Sequence, residues 1–519
     1  MLSFRPLSGA FGSPLGNVGF YLGLGVLLSI LYLFAVIVYN IYFHPLAKFP
    51  GPKSYAATRI PYFQALLGGQ IGQAIKDLHQ KYGEVVRIAP NELSFIDGEA
   101  WKAIYGTRPG HKQKPKDVRY YPPTAGGVPS IVVSNDEDHS RFRRTLSHAF
   151  SETSLRAQEP LVNNYINLLI QRLHEHCDAG NKPLDMVAWY NFTTFDIIGD
   201  LAFGEPFNCL HNSAYHKWVS MIFSNIRYGT YGNLARRFPG SKYLLRLITP
   251  TRIANGRNWH IELTKEKVKG RLAKSNDRMD FYGHILKQKD TERAMSFDEM
   301  VTNGSTLIVA GSETTATLLS AVTFYLLKNE RVLGKLQQEI RASFESEKDI
   351  TVTGCNQLEY LNAVLTEGLR IFPPVPTGLP RIVDPDGDTI AGKWVPGGTI
   401  VSIPHLAAFH SASNFTDPES FIPERFLGDP QFANDSKTVL QPFSFGPRNC
   451  IGRNLANAEM RLILARVLYN FDLKLDERSE NWSQQETYIL WNKPGFFESP
   501  SFSDARHAFN TLIYPVRGW

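Results

Sequence analysis

Phe443-Ser444-Phe445-Gly446-Pro447-Arg448-Asn449-Cys450-Ile451-Gly452, followed closely by Leu455-Ala456-Asn457-Ala458-Glu459-Met460-Arg461-Leu462-Ile463, is the stretch on which the reading of this chain turns. One cysteine stands between two glycines and just ahead of a mostly apolar run. Small residues at Gly446 and Gly452 permit a tight loop whose backbone N–H groups can turn toward a sulfur. The apolar run opens a helix, and the positive end of that helix favours an anion at the same place. The pattern describes a thiol held as a thiolate, and the thiolate is the metal-binding form. An inert buried thiol is the plain alternative for Cys450.

Working outward, Ser296-Phe297-Asp298-Glu299 reads as a capping box at the start of a long apolar helix that runs through Val309 to about Leu327. In its middle sits Ala310-Gly311-Ser312-Glu313-Thr314-Thr315. Glutamate and threonine suit a buried apolar helix poorly unless something uses them. Gly311 costs about 1 kcal/mol of helix propensity relative to alanine. Further on, Leu358, Leu361, Val364, Leu365 and Leu369 form a helical stripe ended by Pro373-Pro374. That helix carries Glu367 and Arg370 as an i,i+3 pair, and Pro423-Glu424-Arg425-Phe426 follows downstream.

These elements, in this order, resemble the signatures of the cytochrome P-450 superfamily. The Cys450 loop is similar to its haem-binding motif Phe-x-x-Gly-x-Arg-x-Cys-x-Gly at every defining position: Phe443, Gly446, Arg448, Cys450 and Gly452. The resemblance implies haem b with Cys450 as axial iron ligand, and Arg448 paired with a haem propionate. A thiolate pushes electron density onto haem iron and favours O–O cleavage. The segment around Glu313 is similar to the family's element over the distal haem face. There Ala310 would line the haem, Gly311 would leave room for dioxygen, Thr314 would hydrogen-bond the activated oxygen and Glu313 would feed protons from solvent. Glu367, Arg370 and Arg425 would form a buried charge network, and Arg381 another propionate contact. His139-Ser140-Arg141-Phe142-Arg143-Arg144 resembles the family's Trp-x-x-x-Arg element, with His139 in place of the commonest Trp. An imidazole N–H can still donate to a propionate. The resemblance implies that Arg143 contacts the haem as well, and histidine at 139 resembles fungal members of secondary metabolism.

The N-terminus adds a membrane element. Val18 to Tyr39 carries no charge and spans roughly 33 Å as a helix. Arg5 precedes it, and Lys48, Lys53 and Arg59 follow, which places the C-terminal part on the cytoplasmic side. No small-residue cleavage site ends the run, so an uncleaved anchor is expected rather than a signal peptide. The expected organisation is a short lumenal tail over 1–17, a transmembrane helix over 18–40, a Pro-rich hinge over 41–52 and a catalytic domain over 53–519. The fold class is mainly α with small β-sheets, a cytochrome P-450 fold preceded by one transmembrane helix. Strand signals stand at Val85–Ile88 and Leu93–Phe95, and a hairpin is expected around Asp384–Ile403.

Composition is that of a folded enzyme, with 43% hydrophobic and 12% aromatic residues over 519 positions. A net charge of +6 and the lack of any nucleic-acid-binding motif argue against nucleic acid as partner. Four widely spaced cysteines exclude a disulfide framework and point to a reducing compartment. Asp384, Asp386 and Asp388 fail as a calcium loop, because Thr389 and Val395 stand where Gly and Glu are needed. His174, His176 and Cys177 read as a solvated helix end rather than a metal site.

The function the resemblance implies is insertion of one atom of O2 into a lipophilic small molecule, a terpenoid or polyketide, at the endoplasmic reticulum membrane. No GxGxxG or flavin motif is present. Electrons from NADPH would therefore come through a separate cytochrome P-450 reductase, with cytochrome b5 as an optional second donor, docked on a basic face near Arg448 and Arg453. Substrate contacts are expected from Tyr120–Gly127, Val309, Ala310, Val375–Leu379 and Ile489–Trp491. A haem-thiolate isomerase, dehydratase or peroxygenase and a non-enzymatic haem sensor are the alternatives. A hydrolase is disfavoured because no Gly-x-Ser-x-Gly occurs.

Overall fold

The computed structural model describes residues 14–121, 127–238, 240–241, 243, 251–274, 278, 280–493 and 510–515, and helices dominate it. Two helices cross at its centre. Met186–Phe203 is apolar nearly all round, and every residue of it except Ala188 is buried. A helix of that composition belongs inside a core. Asp185 caps its first turn by accepting from the Val187 and Ala188 N–H groups, and Gly204 ends it in the left-handed conformation at φ 70°. Phe297–Leu327 packs against it and begins with the expected capping box of Ser296 and Glu299. The helix after the cysteine loop, Arg453–Asn470, closes the same core from the other side.

The short strands build a second, smaller core. One sheet has the order Val85–Ala89, Glu92–Phe95, Ile400–Ser402, Arg381–Ile382. The first two, where the strand signals Val85–Ile88 and Leu93–Phe95 stand, pair antiparallel. Glu92–Phe95 then runs parallel to Ile400–Ser402, which pairs antiparallel with Arg381–Ile382. The hairpin expected over Asp384–Ile403 is therefore narrower than the sequence suggests. Asp388–Ile390 pairs with Lys393–Val395, whereas Ile400–Ser402 leaves for the larger sheet. Burial explains the split: Ile400 and Val401 have no exposed surface and need two covered faces. Asp388 binds Arg108 and Lys114 by ion pairs, in keeping with a hairpin rather than a calcium loop.

The N-terminal helix is Pro14–Val38 and continues as a π-helical turn through Tyr39–Phe43, slightly beyond the expected end at residue 40. None of the apolar stretch Val18–Phe43 is buried against the rest of the chain, and its length and composition suffice to cross a membrane. Residues 1–13, with Arg5, lie outside the described residues. The hinge is tied down. Arg87 donates to the Asn40 carbonyl at 2.8 Å, its own N–H donates to Pro50 O at 2.8 Å, and Leu46 is wholly buried.

His174 and His176 do end a helix, Glu152–His176, but not as a merely solvated tip: His174 packs on Phe471 and His176 on Trp189. Among the described residues no three His, Cys, Asp or Glu side chains converge to hold a metal ion. All four cysteines are free, with Cys177, Cys209 and Cys355 buried.

Candidate active site

Cys450 sits two residues beyond a 3-10 turn, Gly446–Arg448, and just ahead of the helix that starts at Arg453. Its N–H donates to Phe443 O at 2.8 Å, which closes the loop on itself. Gly446 has φ 75°, and a β-carbon there would lie 2.1 Å from the Tyr105 carbonyl oxygen, so only glycine fits. Gly452 differs: its φ is ordinary at −84°, and a β-carbon would only touch the Cys450 sulfur at 4.0 Å. Its value lies in its N–H, which points at the sulfur. Cys450 keeps accessible surface although protein surrounds its sulfur, so it opens inward. Burial pushes its thiol up, while the Gly452 N–H, Arg143 and Arg453 pull it down.

Arg143 reaches across to the cysteine loop. Its Nη1 donates to Asn449 O at 2.6 Å and its Nη2 to the Asn449 side chain, so both ends brace the residue beside Cys450. Its positive charge acts on the Cys450 thiol.

The other basic residues converge as expected, and they are under-satisfied. Arg381 is 3% exposed, and its Nε and Nη1 have no acceptor. Arg448 donates from Nη2 to Ser134 O at 3.0 Å and to Asp136 Oδ1 at 2.7 Å, but its Nη1 has none. Lys116 lies between them, a residue the sequence reading missed. Burial first, then Arg381 and Arg448, push its ammonium down to about 6. Burial and then Arg448, Lys116 and Arg143 push His139 down to about 3, which leaves a neutral ring able to donate. Stacking this much positive charge with unfilled donors is costly unless an anion joins it. Two carboxylates at the edge of a flat macrocycle match that need, and a lone thiol facing the interior supplies one axial ligand. The residues present therefore fit haem b. With only 4% of its side chain exposed, Arg448 cannot belong to an outer docking face; Arg453 is exposed and remains available for one.

The long helix completes the site. Most of it is buried, yet Ala310 is exposed and Thr314 half-exposed in its middle. Thr314 Oγ1 donates back to Ala310 O at 2.7 Å. Gly311 is occupied differently from expectation: a β-carbon there would meet Ile198 Cδ1 at 2.7 Å, so the missing side chain admits the crossing helix. Glu313 is buried and faces Lys493, not solvent. A separate cavity brings together Tyr120, Thr377, Gly378 and Ile489 from three of the expected substrate segments, with Tyr62, Thr230 and Asn233. Val309 and Ala310 do not line it, and residues 122–126 of the Tyr120–Gly127 segment lie outside the described residues.

Beneath this, Glu367 accepts from Arg370 Nε and Nη2 at 2.7 Å each and from Arg425 Nε at 3.2 Å. Asp435, unforeseen from the sequence, takes Arg425 Nη1 at 2.6 Å. The three expected members have no side-chain exposure.

Comparison with known proteins agrees with this geometry. The family described as Cytochrome P450 matches residues 50–498. The chain belongs to the cytochrome P450 family. Cytochrome P450 monooxygenase astA of Talaromyces wortmannii is 46% identical over 92% of this chain and 96% of its own length. Cytochrome P450 monooxygenase lcsI of Purpureocillium lilacinum is 44% identical over 92% and 93%. Averantin hydroxylase of Dothistroma septosporum is 45% identical over 91% and 90%. This cytochrome P450 is thus a monooxygenase, with the helical fold and small sheets of its family and an apolar N-terminal helix consistent with a membrane anchor.

Proposed function

We propose that this chain is a membrane-anchored monooxygenase of secondary metabolism that inserts one atom of O2 into a lipophilic terpenoid or polyketide. Bound haem b would supply the oxygen activation and electron transfer. Cys450 holds its iron; Arg381, Arg448, Lys116 and neutral His139 hold its carboxylates; and Arg143 braces the thiol loop from beside it. The observation that carries this reading is the set of buried guanidinium N–H groups without acceptors, on Arg448 of the thiol loop and on Arg381 of the strand Arg381–Ile382.

Thr314 Oγ1 orients a hydrogen bond on the oxygen side of the site, and Glu313 holds the proton to be delivered. Ala310 keeps the helix surface small where substrate approaches. Tyr120, Thr377 and Ile489, which meet around one small cavity, are the side chains proposed to contact the substrate. The relative named averantin hydroxylase favours hydroxylation as the outcome. Residues 1–17 form the lumenal tail, 18–40 the span, 41–52 the hinge and 53–519 the catalytic domain on the cytoplasmic side of the endoplasmic reticulum. Electrons come from NADPH through a cytochrome P-450 reductase, with cytochrome b5 as an optional donor, docked near Arg453.

Reconstitution with reductase, NADPH and a panel of terpenoids and polyketides under labelled O2 tests the reading. One labelled oxygen per product and strict dependence on reductase are expected. Turnover without NADPH would place the chain with the isomerases or peroxygenases instead.

A further inference from the structure

Glu313 Oε1 lies 2.6 Å from Lys493 Nζ, and each side chain is 2% exposed. Lys493 also donates to Thr317 Oγ1 at 3.0 Å, one turn further along the same helix. Glu313 Oε2 has no hydrogen-bond partner. A buried ion pair is a costly way to pack an apolar helix against a strand end, and removing either member leaves an uncompensated charge. Other groups bear on the pair: Asp185, the cap of Met186–Phe203, acts on the same ammonium, and the Tyr215 phenol senses both carboxylates. Burial pushes Glu313 up and Lys493 down, while the contact between them opposes both shifts.

We propose that Lys493, just beyond the strand Trp491–Asn492, is the positioning residue of the proton-delivering acid: it pins Glu313 Oε1 in the interior and leaves Oε2 as the oxygen that exchanges protons. The proposal rests on the reading of Glu313 given above. Lys493 sets how tightly Glu313 holds its proton, because it is the cation in contact with that carboxyl. The C-terminal segment of the chain thereby tunes a step that takes place on the long helix.

The test uses the full-length haem-loaded protein. Infrared titration follows the protonated Glu313 carboxyl, assigned by its loss in E313Q. In parallel, peroxide released per NADPH is measured against pH with reductase present. In K493M the carboxyl midpoint should rise by at least about one pH unit, a tenfold gain in proton affinity. The pH profile of peroxide release should move with it, and K493R should stay close to wild type. K493Q keeps a hydrogen bond without charge and reports the same shift if K493M does not fold. If E313Q leaves the profile unchanged, Glu313 is not the delivering acid and the underlying reading falls. If E313Q alters the profile but K493M and K493Q move neither midpoint nor profile, Lys493 is only structural and the proposal is overturned.

Discussion

Two of the buried clusters of charge in this molecule are built on opposite terms. Around Glu367 every guanidinium is saturated. Arg370 reaches Glu367 and the carbonyls of Phe409, Pro418 and Ser420, while Arg425 reaches Glu367, Asp435 and the carbonyls of Thr416 and Asp417. Around Arg381 and Arg448 three N–H-bearing nitrogens lack acceptors, and Lys116 and His139 add no negative charge. The first cluster is complete within the chain and serves as scaffold. The second is complete only with an anionic ligand. Saturation, not burial or charge count, separates the two.

The comparison breaks most directly at Glu367. Replacing Glu367 with alanine strands two buried guanidinium groups, at a cost of about 3–5 kcal/mol out of a total stability on the order of 5–15. Loss of most soluble, folded protein is expected, read by yield and thermal unfolding with and without added haem. Full recovery of Tm by haem would contradict a purely structural role.

Arg381→Met and Arg448→Leu should do the reverse. Arg381 has two nitrogens without an acceptor, and Arg448 has one beside its pair with Asp136, so unfolding of the haem-free protein should shift little, and upward sooner for Arg381→Met than for Arg448→Leu. Haem titration should show affinity lowered by about tenfold to a hundredfold, the worth of one or two charge-assisted bonds. Equal haem affinity in both variants would remove the anion-binding assignment.

Glu459 is an intermediate case, with a smaller expected effect. It is 2% exposed on the helix after the cysteine loop, and burial pushes its carboxyl up to about 8, against the hydrogen bond from Thr315. Its ordinary value is about 4.3. The folded chain therefore keeps a proton that the unfolded chain gives up, and its stability falls as pH rises from about 4 to about 8. Glu459→Gln removes that dependence. Its Tm should match wild type near pH 4 and exceed it by a few degrees, about 1–3 °C, at pH 8. A constant difference across that range would show that Glu459 does not titrate there.

What the sequence showed and what it hid follow from the same distinction. Local patterns were legible: the Cys450 loop, the capping box at Ser296, the apolar stripe leading to Glu367 and Arg370, and the uncharged run from Val18. Each carries its signal within a few residues. The partners supplied from far along the chain were not legible. Lys493, Lys116 and Asp435 stand in segments without periodicity, and only the folded chain brings them to Glu313, Arg381 and Arg425. Gly311 misled for a related reason: a glycine beside Glu-Thr suggests room for a ligand, whereas the space is filled by Ile198 from another helix. Arg143 and Arg448 were visible as charges, but which acceptor each would find depended on Asn449, Ser134 and Asp136.

The central claim is that Cys450 is the axial thiolate of a haem held by the unsaturated cluster. The most direct test is the carbon monoxide difference spectrum of the reduced protein, wild type beside Cys450→His. A strongly red-shifted Soret band in wild type, absent from the variant although it still binds haem, is the predicted result. A wild-type band at the ordinary haem position in freshly prepared, haem-replete protein, or the same red-shifted band in both, would contradict it.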